Sequence, residues 1–182
     1  MRTTQLTLGA LAAVATTALT GLGVASPAGA LTATAEQATT TTTHEVGNVI
    51  ECTGTIRGRA VYASLYENNT YANVIQVIIG DDEDQVGNSR EVADGFIHEK
   101  QVHGSLKVGG KRVVIDGYAS RHGKRLPIHE QYDDAGQHIT ADGYHRRLAT
   151  DLTLTWRHRT TRLSCDNRFF YNLTVTKEDI TG

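Results

Sequence analysis

What this chain lacks first is helical periodicity: no stretch of ten or more of its 182 residues brings apolar side chains round every three or four positions. That excludes a helical domain. Proline is nearly absent too, with Pro127 alone beyond residue 30, so few strands are interrupted. Positive charge is not in excess. From Leu31 to Gly182 there are 17 basic and 20 acidic residues, a balance of 17 − 20 = −3, which argues against a nucleic-acid partner because phosphate binding depends on a clustered basic surface. Motifs for common chemistries are missing as well. No serine lies in a G-x-S-x-G context, and neither H-x-H nor H-E-x-x-H spacing occurs. The acidic run Asp81-Asp82-Glu83-Asp84 lacks the Asp-x-Asp-x-Asp-Gly order of a calcium loop, so no metal and no cofactor is expected.

What is present begins with an export signal. Arg2 precedes an apolar segment from Leu6 to Val24, and Ala28-Gly29-Ala30 offers a small-residue cleavage site of bacterial layout. Residues 1–30 are therefore expected to be removed, leaving a secreted, extracellular chain with no stable membrane anchor. Only two cysteines occur, Cys52 and Cys165, and in an oxidising compartment they are expected to form a disulfide. Residues 31–45, with Thr39 to Thr43 an unbroken threonine run, read as a disordered leader. Residues 46–177 then form one domain, and 178–182 a loose tail.

Within that domain apolar residues alternate. The clearest case is Phe96 to Ala119, two arms folded back at Gly109-Gly110, whose apolar faces are broken only by His98 and Lys100. Further period-two runs are Val49 to Arg57, Ala60 to Tyr66, Arg125 to Tyr132, His138 to His145, Leu152 to His158 and Phe169 to Thr176. Tyr71 to Ile79 is apolar on both faces, and Gly80 to Gly95 reads as a surface loop. The fold class is thus all-β: a single antiparallel meander of about eight to nine strands, with a closed barrel favoured over a β-sandwich. In alternation and size it is similar to small secreted barrels of the lipocalin, avidin and cyclase or dirigent types, although none of their motifs can be matched to residues here.

Eight histidines raise the question of a site. His98, Glu130, Tyr132, His145, Trp156 and His158 share the parity of the apolar residues in their own runs, so a barrel would turn them into one pocket. Asp116, Tyr118, His138, Asp142 and Tyr144 fall on the opposite parity, near Arg146-Arg147, as a polar outer face. The expected function is a secreted binding or interaction protein for a small apolar ligand or an extracellular protein. The alternative is a small barrel enzyme of isomerase, cyclase or lyase type that moves a proton with its interior His and Glu.

Overall fold

A computed structural model describes residues 39–81 and 83–180, and the predicted signal segment lies outside them. Every regular element is a strand: β1 Thr40–Ile56, β2 Arg59–Asn68, β3 Asn73–Ile79, β4 Val86–Val92, β5 Ile97–His98, β6 Gln101–Val108, β7 Lys111–Arg121, β8 Leu126–Asp134, β9 Gln137–Trp156 and β10 Arg159–Asp179. All pairings are antiparallel, in the order β4-β3-β2-β1-β10-β9-β7-β6-β5, with β8 added on β9. No helix of the described residues is long and apolar enough to cross a membrane.

The closed barrel is not formed, because the ladder stops between β4 and β6. The reason is written in β4, where Asn88 and Arg90 occupy the row that a closing strand would fill with apolar side chains. Their polar ends bridge the seam instead. Asn88 donates its amide to the Lys107 carbonyl at 2.8 Å, and Arg90 reaches the Ser105 carbonyl at 3.5 Å. The open sheet folds over on itself, and Gly104 of β6 lies against Ile75 of β3 and Leu65 of β2. The main apolar core has Ile50, Ile75, Val77, Val113, Ile115, Leu154 and Trp156 essentially inaccessible, and a smaller cluster of Ile139, Ala141 and Val175 lies apart from it. Each such side chain stabilises the fold by about 1.5 to 3 kcal/mol.

Several boundaries depart from the periodic reading. Thr40 to Glu45, expected in the leader, begin β1 and pair with Leu173 to Glu178 of β10. Val86 to Val92 is a strand rather than loop, and β10 continues through Asp179, where a loose tail was expected. The long first arm of the central hairpin is two strands, broken by a turn in which Glu99 and Lys100 both take positive φ. That turn resolves the anomaly of His98 and Lys100, which lie outside the alternating strand. The hairpin itself stands, with Gly109 and Gly110 at φ of 54° and 72° between Val108 and Lys111. Cys52 and Cys165 face each other across β1 and β10 and are joined as a disulfide.

A buried polar network ties the start of β1 to β2 and β10. Tyr171 donates its hydroxyl to the Glu67 carbonyl at 3.0 Å and accepts the Asn68 amide at 2.9 Å. Burial, reinforced by the neighbouring Tyr66 hydroxyl, pushes the Tyr171 hydroxyl well above the ordinary 10.0 of tyrosine. The folded state therefore keeps a proton that the unfolded chain releases above pH 10. This contribution is complete below pH 10 and is lost as the pH rises beyond it. Urea unfolding measured from about pH 9 to 11 should show stability falling, and the fall should be shallower in Tyr171→Phe. Parallel curves for the two proteins would remove Tyr171 as the cause.

Candidate ligand pocket

The six residues predicted to share a pocket are not gathered. Trp156 is core, with only 1% of its surface exposed. His158 sits exposed in the β9–β10 turn at φ 61°, and His98 is exposed with its ring against the Gly95 carbonyl at 2.8 Å. Glu130 and Tyr132 lie on β8 opposite Ala141 and Ile139, both outside the main core. His145 is half-buried, its ring 5.8 Å from Phe169. Burial raises the Tyr132 hydroxyl above its usual range, with the nearby Lys177 opposing the shift and Asp134, Glu130 and Glu45 adding to it. Among the described residues, no three His, Cys, Asp or Glu side chains are grouped to hold a metal.

Of the opposite parity, Asp116, Tyr118 and Asp142 are exposed and His138 is half-buried, whereas Tyr144 packs against the core. Here the structure shows a pattern that the sequence reading missed. His103 pairs with Asp116 across β6–β7 at 2.7 Å, and His129 pairs with Asp142 across β8–β9 at 2.5 Å. Both pairs span 13 positions, and both aspartates open an Asp-Gly-Tyr triplet, so β8–β9 repeats the layout of β6–β7. A self-comparison of the sequence at an offset of 26 would have found it. Exposed pairs of this kind contribute less than about 1 kcal/mol each and act mainly on register.

A concave site lies elsewhere, at the end of the core where β1, β5, β7 and β9 meet. A cavity of about 450 Å³ opens there, with Ile97, Ala119 and Leu148 as its apolar floor and Asn48 and Ser120 as polar groups. Lys100 and Arg121 stand at its mouth. The strand geometry explains each position. The turn at Glu99-Lys100 sets Lys100 at the opening, where its carbonyl accepts the Ala119 amide at 2.9 Å. Arg121 ends β7, and its guanidinium lies 3.5 Å over the Phe170 ring. Phe170 is followed at 6.2 Å by Tyr144, with Arg125 4.6 Å over that ring. Two arginines thus bracket two rings.

Further cations collect beside this mouth. Arg146 donates to the Gly123 carbonyl and Arg168 to the Leu148 carbonyl, each at 2.9 Å. Rings and backbone carbonyls hold these side chains without cancelling their charge. Among the described residues, no carboxylate comes within 4 Å of Lys100, Arg121, Arg125, Arg146, Arg147 or Arg168. A mildly acidic chain therefore carries a local excess of positive charge, which its net balance conceals.

Behind the floor, Glu67 organises the pocket wall. Its carboxylate accepts the Asn48 amide, the Phe96 N–H, and the Ile97 N–H at 2.8 Å. Asn48 and Ile97 both line the cavity, so this acid fixes two of its walls from a position only 9% exposed. Three donors converge on it, and an amide in its place would turn an N–H toward one of them. Glu67→Gln should cost about 2 to 4 kcal/mol, read by urea unfolding. Unchanged stability would show that the carboxylate does not bind the strap at residues 96–97.

No protein-family model, no curated protein and no solved structure matches this chain.

Proposed function

We propose that this is an exported binding module whose sandwich-like scaffold holds a small amphipathic anion, apolar body inward and charged head at the mouth. The observation that carries this reading is the pocket's composition: an apolar floor beneath Lys100 and Arg121, with no carboxylate opposing either among the described residues. A volume of about 450 Å³ falls within the range of small-molecule sites. Arg121 is held in place by Phe170, so it needs little ordering when a ligand arrives. Export is supported by the disulfide, which persists in oxidising compartments, and by the leader-like first 30 residues. The proton-transfer reading needs His98, Glu130, His145 or His158 beside an apolar cavity, and none of them lines this one.

Calorimetric titration with dodecanoate and with 1-dodecanol tests the proposal. Dodecanoate should bind saturably and at least about tenfold more tightly than the alcohol, because the ionised head gains a charge-assisted contact. Arg121→Ala should remove most of that preference. Equal binding of both probes, or no binding of either, would sink the reading.

A further inference from the structure

At the other end of β1 the two long strands part. β1 and β10 are paired from Thr40↔Glu178 as far as Thr53↔Ser164. Beyond that point Gly54 to Ile56 stay with β2 alone, and Arg159 to Leu163 stay with β9 alone. A cleft of about 530 Å³ lies between the diverging ends, lined by Thr55, Ile56, Arg57, Arg159, Thr160 and Thr161. We propose that this cleft is a binding site for a tetrahedral oxyanion, the phosphate or sulfate group of an extracellular ester.

Three observations carry the assignment. The first is donor supply. Each strand has lost its ladder partner on the cleft side, so alternate residues present backbone groups there without a strand to meet them. Thr55 adds a side-chain hydroxyl to the same walls, whereas Thr160 shares its hydroxyl with Thr155 and Thr161 donates to the Arg162 carbonyl. The second is charge. Arg57 and Arg159 stand on opposite walls, and among the described residues no carboxylate lies within 4 Å of either or of Arg157. Arg57 donates one N–H to the Arg157 carbonyl at 3.3 Å, which holds its guanidinium across the gap between the two turns. Two guanidinium forks from opposite sides suit an acceptor with oxygens pointing several ways better than a planar carboxylate.

The third observation is the choice of residues at the turns. The β1–β2 and β9–β10 turns flanking the cleft hold Arg57, Arg157 and His158 at φ of 54°, 49° and 61°, the left-handed region that ordinary side chains avoid. Such a conformation costs about 1 kcal/mol or more per residue and is imposed by the two-residue hairpin turn itself, as it is at Glu99-Lys100 and Ala135-Gly136. Glycine would fill these positions at no such cost, and the chain uses it only at Gly58. Arginine at two of the other three corners places charge where a turn alone does not need it.

The cleft is separate from the end pocket. Asn48 lines one and Thr55 the other, seven residues apart on β1 or about 23 Å at the strand rise. Nuclear magnetic resonance titration of the ¹⁵N-labelled protein with inorganic phosphate and with inorganic sulfate, at ionic strength held constant with chloride, decides the matter. The amides of Thr55, Arg57, Thr160 and Thr161 should shift saturably, with a dissociation constant of about 1 mM or below, and the tighter of the two anions names the ester. Arg57→Ala and Arg159→Ala should each weaken binding about tenfold while Arg121→Ala leaves it unchanged. Both arginines are exposed, so thermal midpoints should match across the variants. Shifts linear in anion concentration, reproduced by chloride, or undiminished in the double variant would overturn the site. Dodecanoate binding at the other end stands or falls separately.

Discussion

Gly47→Ala should destabilise this protein by about 3 to 5 kcal/mol and about 10 to 15 °C in Tm. A Cβ at Gly47 would stand 1.8 Å from the Glu67 carbonyl oxygen and 2.5 Å from the Tyr171 hydroxyl. Neither can retreat alone, since the tyrosine donates to that same carbonyl and accepts from Asn68. The methyl therefore forces β1 away from both neighbours at the point where it pairs with Asn68 on one side and Tyr171 on the other. A buried carbonyl and a buried hydroxyl both lose partners, each at about 1 to 3 kcal/mol. Urea unfolding checks the value, with Gly58→Ala as the control because nothing lies within 4 Å of its Cβ position, although its φ of 77° still imposes some strain. If Gly47→Ala unfolds at the wild-type midpoint, the Tyr171 hydroxyl is not seated over Gly47.

The alternation that revealed the strands is a consequence of one-sided burial, and it is readable only where burial is one-sided. Val61 to Leu65 and Val113 to Ile115 obey it because each strand turns one face to the core. Thr40 to Glu45 do not, since no residue of that segment is fully buried and its place comes from cross-strand pairing with β10. Val86 to Val92 hid for a similar reason: Asn88 and Arg90 stand where apolar residues would have signalled a strand.

The six residues expected to share an interior stand apart for a subtler reason. The sequence shows odd-numbered apolar positions at Ile139 and Ala141 but even-numbered ones at Leu152, Leu154 and Trp156, which reads as two strands, each with its own inward face. The structure has one strand, β9, running from Gln137 to Trp156. Its two halves therefore bury opposite faces, the first in a small cluster with Val175 and the second in the main core. Parity could not bring His145 and Trp156 to one cavity, because on a continuous strand odd and even positions point apart. Lys100 showed in the sequence as an exception to the pattern, and exceptions of that kind mark turns and pocket mouths more reliably than matching parity marks a shared interior. Arg57 and Arg159 carried no periodic signal, since the cleft they line comes from strands separating.

Removing the disulfide should be the other large effect. Cys52→Ala combined with Cys165→Ala opens a loop of 113 residues, a loss of about 3 to 5 kcal/mol on the chain-entropy account. Its position adds to that figure locally. The β1–β10 register slips between Glu51 and Cys52, and β10 loses its pairing with β9 between Leu163 and Phe169. The covalent bond thus stands where the hydrogen-bond ladder is poorest, one residue from the last β1–β10 pair, Thr53↔Ser164. Without it the parting of the strands should travel inward. Amide exchange in Thr53 to Ile56 and Ser164 to Arg168 should accelerate well beyond the global change, while Val113 to Ile115 follow global stability alone. Phosphate binding in the cleft should weaken along with this loosening, and dodecanoate binding should survive, because Lys100 and Arg121 hang on β5–β6 and β7 rather than on the bridge. Uniform acceleration across all strands would mean that the bond acts only on the unfolded chain.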